Sequence, residues 1–250
     1  MCPNRKLAAA VIVALAALLA GRGRAGDESE RPAHAGPAFK ERTRDRERMV
    51  AEQIEARGVK SAAVLKAMRT VPRHAFVRDA DARAAYDDRP LAIGNGQTIS
   101  QPFIVAYMTE KLGLGPGDNV LEIGTGSGYQ AAVAAEIARR VYTVEIIEPL
   151  GKAAAERLAK LGYRNVAAKV ADGYYGWAEH GPYDAIIVTA AAPQVPQPLL
   201  KQLKPGGRMI VPVGGPFAVQ YLMLLTKDAE GKVSTKTLLA VRFVPLTRKK

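Results

Sequence analysis

Asn119-Val-Leu-Glu-Ile-Gly-Thr-Gly-Ser-Gly-Tyr-Gln130 is the stretch whose reading decides the fold. Val120, Leu121 and Ile123 predict a short buried strand, interrupted only by Glu122. Gly124, Gly126 and Gly128 follow at alternate positions, and Ala131–Ala138 then reads as a helix. Strand, glycine turn and helix form the opening unit of a nucleotide-binding α/β fold. The glycines admit positive φ and the close approach of a ligand, and the helix N-terminus behind them offers free N–H groups.

The spacing separates ligand classes. A dinucleotide fingerprint is Gly-x-Gly-x-x-Gly/Ala, and its last position here is Tyr129, whose side chain would crowd a pyrophosphate. Gly-x-Gly-x-Gly after Leu-Glu-Ile resembles instead the first motif of S-adenosylmethionine (SAM)-dependent methyltransferases. On this motif alone, a tight turn that binds nothing stays open. Arg140–Glu145 reads as the second strand, with a carboxylate at its end. A carboxylate about 20 residues past the first glycine suits two ribose hydroxyls in this architecture.

With 250 residues and 48% hydrophobic content, the chain can bury a large core of Leu, Val, Ile and Ala. The net charge of +12 favours anionic partners or serves solubility. No Lys/Arg block interleaved with aromatics occurs, so no specific nucleic-acid partner is expected. Cys2 is the only cysteine, and His34, His74 and His180 lack ligand spacing, so no metal is expected.

Residues 1–26 predict a signal peptide. Arg5 and Lys6 precede an apolar run of 14 residues, Leu7–Ala20, too short for a comfortable membrane span. Leu18-Leu-Ala-Gly21 approaches a lipoprotein box, but Arg22 stands where the lipid-bearing Cys belongs. Cleavage near Ala20 or Ala25 would leave a mature chain with no cysteine and no membrane span. The expected location is periplasmic or exported, with the cytoplasm as the alternative. Residues 27–39 read as a disordered linker, and 40–250 as a single domain: a helical part over 40–115 with a substrate loop, and a ligand-binding sheet over 116–250.

Within the first part, Lys40–Arg57 predicts a surface helix ending at Gly58, and Ser61 caps a second helix over Ala62–Arg69. The polar, glycine-rich stretch Ala85–Pro102 reads as a long functional loop. Pro102 opens a helix to about Leu112, with Ser100 and Gln101 at its mouth. Simple helix capping is the bland role for Ser100.

Pro72-Arg73, Phe76-Val77, Ala85-Tyr86-Asp87, Ile93-Gly94, Gln97-Thr-Ile-Ser-Gln-Pro102 and Leu121–Tyr129 occur in this order. Together they closely resemble the protein-L-isoaspartate (D-aspartate) O-methyltransferases, from about Arg48 to Leu246. The resemblance implies a Rossmann-like α/β fold of class I SAM-dependent methyltransferases: a mostly parallel sheet covered on both faces, an N-terminal helical extension and C-terminal antiparallel strands. It implies SAM as cofactor and isoaspartyl-containing proteins and peptides as partners of a monomer. It assigns catalysis and carboxyl positioning to Ser100. Cofactor contacts are implied for Thr98, Gly124, Thr125, Gly126, Ser127, Gly128, Glu145, Asp172 and Gly173, and Thr247 is a further candidate. A methyl ester would close to a succinimide and reopen partly as aspartate, which repairs damaged protein.

The remaining pattern agrees in kind. Leu150–Leu161 predicts a helix and Asn165–Ala171 a third strand closed by Asp172-Gly173, where a turn role for Asp172 stays open. Pro182–Ala190 is the fourth strand and Arg208–Val213 the fifth, after a short helix over Pro198–Leu203 and a Lys204-Pro-Gly-Gly207 turn. Tyr221–Thr226 and Thr237–Val244 form a closing pair. Tyr174, Tyr175 and Trp177 read as packing residues. Ala191-Ala-Pro193 follows the fourth strand where amino-group methyltransferases carry an Asn/Asp-Pro-Pro-aromatic run, so that class is excluded. Two rivals stay open: a methyltransferase for a nucleic acid, and a binding module without activity, suggested by export away from SAM.

Overall fold

The computed structural model describes residues 32–215 and 218–248. The expected signal peptide lies outside the described residues. A seven-stranded sheet forms the centre, with spatial order β5-β4-β3-β6-β7-β8-β9. Its strands are β3 (Asn119–Ile123), β4 (Arg140–Glu145), β5 (Val166–Val170), β6 (Tyr183–Val188), β7 (Leu203–Val213), β8 (Gln220–Lys227) and β9 (Val233–Val241). The pairs from β5 through to β7 are parallel, and β7–β8 and β8–β9 are antiparallel. From β3 the chain first walks outward through β4 and β5, then returns to β3's other side with β6. That reversal is a topological switch point, and ligands bind outside the strand ends there.

The helices are α1 (Thr43–Arg48), α2 (Ala62–Thr70), α3 (Pro102–Leu112), α4 (Tyr129–Ala135), α5 (Glu148–Lys160) and α6 (Gln197–Lys201). Because strand side chains alternate between faces, the sheet feeds two core layers. Val120, Ala185, Ile187 and Ile210 face one, with α2, α3, α4 and the end of α5. Leu121, Ile123, Ile186, Val188 and Val211 face the other, closed by Leu199 of α6 and by Trp177.

Several elements differ from the sequence reading. The helix expected over Lys40–Arg57 begins at Thr43 and changes pitch: Met49–Ile54 is a π-helical turn and Glu55–Arg57 a 3-10 turn, ending at Gly58 with φ 92°. The wide turn aligns residues five apart, so Met49 and Ile54 reach the core together. The part of the linker that is described is docked rather than disordered. Ala33 N donates to Gly162 O (2.9 Å) and Ala35 N to Leu161 O (3.0 Å), carbonyls left free at the end of α5. Its polar composition gave no sign of that partner. Lys204–Gly207, read as a turn, belongs to β7, whose register slips against β6 between Tyr183 and Ala185. The loop expected over Ala85–Pro102 contains a hairpin, β1 (Leu91–Gly94) and β2 (Gln97–Ile99). Its turn is Asn95-Gly96, with φ of 52° and 71°. An Asn-Gly pair with both residues at positive φ matches the twist of paired strands.

Candidate functional site

β3 ends beneath the glycine loop, and two neighbours fix where the loop starts. Gly124 N donates to Val144 O (2.8 Å) on β4, and Thr189 N, just past β6, donates to Ile123 O (2.9 Å). The Thr189 hydroxyl donates into Ile123 O (2.9 Å) and Gly124 O (2.7 Å). A Cβ on Gly124 would fall 2.4 Å from that hydroxyl, and Gly124 has φ +96°. Glycine is therefore required here both by conformation and by space. Thr189 was not singled out from the sequence; its place at the C-terminal end of an apolar strand was the available signal.

The loop presents its backbone and turns its side chains inward. The Thr125 hydroxyl pairs with that of Thr143 on β4 (2.6 Å), and Thr143 donates in turn to Glu122, which is fully buried. Ser127 Oγ accepts from Tyr129 N (3.4 Å), and Ser127 O accepts from Arg157 (2.8 Å). Gly128, at φ +90°, caps α4 against Leu158. Glu145 closes the other side. Its two carboxylate oxygens accept from Gly126 N (2.8 Å) and Ile147 N (2.9 Å). These bonds hold the carboxylate at the mouth, and each oxygen keeps a lone pair for a further donor.

Glu122 is the chemical oddity of the site. Burial first, and the nearby Glu145 charge second, push its carboxyl up to about 8 against the opposing Thr143 hydrogen bond. It is thus a neutral acid at pH 7, at the foot of a hydroxyl chain that reaches the loop.

A cleft at this point is lined by Gln97, Thr98, Gly124, Gly126, Glu145 and Gly173, with Ile146, Ile147, Thr189 and the tail Val244–Thr247. The tail arrives because Ala191 N donates to Val244 O (2.8 Å) and Leu246 N to Ala191 O (2.8 Å). The structure thus brings Thr98, Gly124, Gly126, Glu145, Gly173 and Thr247 to one cleft. Thr125, Ser127, Gly128 and Asp172 are outside its lining. Asp172 caps the 3-10 turn Gly173–Tyr175 through Tyr174 N (3.0 Å), the turn role left open by the sequence, and its carboxylate also holds Arg248 (3.0 Å). The Arg248 guanidinium lies 3.7 Å from the centre of the Tyr174 ring. Trp177 packs edge-on against Tyr142 in the second core layer.

The donor set indicates what the cleft can hold. Among the described residues its lining contains no Lys or Arg, and its one charged side chain is Glu145. A phosphate would find no counter-charge and an adverse carboxylate. A ligand with hydroxyl donors and a positive centre, such as SAM, suits it.

A second cleft of about 440 Å³ adjoins the first, lined by Ser100, Gln101, Ile104, Val241, Arg242 and Phe243 among others. Thr98, Thr189 and Val244 line both. Ser100 lies directly before Gln101, the N-cap of α3, which makes no side-chain capping bond. Ser100 lines this cleft, and its hydroxyl is not used for capping and has no hydrogen-bond partner among the described residues.

The comparisons with known proteins agree with this geometry. The family model for Protein-L-isoaspartate(D-aspartate) O-methyltransferase (PCMT) matches residues 44–250. Protein-L-isoaspartate O-methyltransferase 1 of Cupriavidus necator is 64% identical over 186 residues, covering 74% of this chain and 72% of its own. Protein-L-isoaspartate O-methyltransferase of Gloeobacter violaceus is 57% identical over 202 residues, covering 81% of this chain and 98% of its own. Among solved structures, a protein-L-isoaspartate O-methyltransferase superposes with a TM-score of 0.74 at 34% identity, over 80% of this chain and 65% of that one. A Plasmodium falciparum structure described as such an enzyme, in complex with S-adenosyl-L-homocysteine, gives 0.69 at 25% identity, over 80% and 97%. Fold, cleft and kinship together place this chain in the protein-L-isoaspartate(D-aspartate) O-methyltransferase family.

Proposed function

We propose that this protein transfers a methyl group from SAM to the free α-carboxylate of L-isoaspartyl and D-aspartyl residues in damaged proteins and peptides. The observation that carries the reading is the shared wall of the two clefts. Thr98 lines both, and Ser100, two residues on, faces only the second. A donor held by Gly124, Gly126, Glu145 and Gly173 would therefore meet an acceptor held beside Ser100.

SAM, when bound, supplies a methyl group already activated for nucleophilic attack. The acceptor carboxylate is ionised at neutral pH and is itself the nucleophile, so the protein needs no strong base. This explains a cleft with no His/Asp or Cys/His pair. Positioning two reactants in a dry site can contribute up to ~7–11 kcal/mol. Ser100 donates its hydroxyl to one carboxylate oxygen and so turns the other toward the donor cleft. The resulting methyl ester has a better leaving group than a carboxylate. The next backbone nitrogen displaces methanol to form a succinimide, whose hydrolysis partly restores aspartate.

A monomer is the working unit of this reading; sedimentation of the purified protein tests it. Residues 1–26 support export of the enzyme; N-terminal sequencing of the mature protein tests it.

The test of the reading is incubation with labelled SAM and matched aspartyl and isoaspartyl peptides, scored as base-labile methyl ester. Ester on the isoaspartyl peptide alone is expected. Ser100→Ala should lower kcat by roughly 10²-fold, on the scale of removing one oriented donor, with S-adenosylhomocysteine binding retained. Wild-type turnover by Ser100→Ala would reject the role given to Ser100.

A further inference from the structure

Arg242 has no place in the chemistry above, yet it lines the second cleft. The other described residues that line that cleft, from Pro90 and Ser100 to Val244, are uncharged. Arg242 is exposed at the end of β9, and its guanidinium makes no ion pair or hydrogen bond with any described residue. Other arginines of this region are paired: Arg57 with Asp88 (2.9 Å), Arg89 with Asp87 (3.2 Å) and Arg248 with Asp172 (3.0 Å). The first two pairs also neutralise Asp87 and Asp88, on the stretch that leads to Pro90 at the cleft. The rim thus carries one uncompensated positive charge, on a protein whose net charge is already +12.

We propose that Arg242 is a specificity-determining residue that selects acceptors carrying an acidic side chain beside the isoaspartyl residue. The proposal rests on the acceptor reading given above. An exposed guanidinium at a rim suits a flanking carboxylate better than the reacting one. The reacting carboxylate lies deeper, against Ser100, and a tight ion pair there would blunt its nucleophilicity. At the rim, the contact adds attraction without touching the reacting atoms, and salt screens it.

The experiment compares isoaspartyl peptides with Glu, Gln or Lys at the two flanking positions. Wild-type enzyme should prefer the Glu-flanked peptide over the Gln-flanked one by about three- to fivefold in kcat/KM at low salt, the range of an exposed ion pair. The preference should shrink as salt rises. Arg242→Glu should reverse the order in favour of Lys, and Arg242→Gln should level it. Binding of S-adenosylhomocysteine by both variants confirms that the donor cleft is intact. An unchanged flank preference in Arg242→Glu, with isoaspartyl methylation intact, overturns this proposal alone. Failure of the wild type to methylate any isoaspartyl peptide overturns the acceptor reading, and this proposal with it.

Discussion

Glu122 is the penultimate residue of β3, with no solvent exposure, and its Oε1 has no hydrogen-bond partner among the described residues. A carboxylate there would be a buried, half-satisfied charge beside Glu145, so the native state keeps the proton up to about pH 8. In the unfolded chain the same group releases its proton near 4.5, the ordinary value. Between these limits the native state binds more protons, so stability falls as pH rises from about 4.5 to about 8 and then levels off. The slope approaches ~1.4 kcal/mol per pH unit. Glu122→Gln has nearly the same shape and no proton to lose. Urea unfolding at pH 5, 6.5 and 8 should show its stability rising against wild type as pH increases. Parallel pH profiles would rule out a neutral Glu122. The sequence marked Glu122 as an odd residue in an apolar strand, but its hydroxyl chain to Thr125 depends on Thr143 of a neighbouring strand.

Among elements, β3, β4 and α3 were the most legible. β4 spans Arg140–Glu145 and α3 spans Pro102–Leu112, as their apolar runs and the opening proline predict. The β1–β2 hairpin was the least legible, although Asn95-Gly96 is a strong local hairpin signal. Its strands have four and three residues, too short for alternation to register. The hairpin matters because its second strand carries Thr98 into both clefts, while Ile93 Cδ1 lies 3.3 Å from where a Gly126 Cβ would be. Gly96 has open space around it and φ +71°, so a side chain there meets only backbone strain, about 1–2 kcal/mol. Gly96→Val should weaken S-adenosylhomocysteine binding and raise the peptide KM severalfold, with the melting temperature lowered by no more than the few degrees this strain accounts for. Calorimetry and a thermal melt check this. Unchanged affinity together with a lowered melting temperature would mean that the hairpin supports the fold and not the clefts.

At the scale of the whole molecule, the segment before α1 is part of the body. His34 Nε2 lies 2.8 Å from Glu136, which also accepts from the Tyr163 hydroxyl at 3.0 Å. Arg46 is buried, and its guanidinium donates to Phe39 O (2.6 Å), Glu41 O (3.1 Å) and Arg69 O (2.9 Å). Removing residues 1–39 takes away the Phe39 and Ala38 carbonyls that Arg46 reaches and leaves a buried charge short of acceptors. That truncation should be less stable than removal of residues 1–26 by roughly 2–4 kcal/mol, since lost hydrogen bonds to a buried charged group cost that order. Denaturant midpoints of the two forms measure the difference; equal midpoints would show that the segment contributes nothing.

The amino-acid sequence by itself determined the strand–glycine–helix unit, the carboxylate that ends β4 and the Gln97–Ser100 motif before α3. Each is written within a few neighbouring residues, in periodicity, glycine conformation and the chemistry of helix starts. Only the tertiary structure decided that Thr98, Thr189 and Val244 share one wall, that the loop turns Thr125 and Ser127 inward, and that Arg242 stands at the rim with no ion-pair partner among the described residues. Those relations join residues up to about 150 positions apart. They exist only after the sheet has formed in its particular order and the tail has paired with Ala191, and no local pattern encodes that pairing.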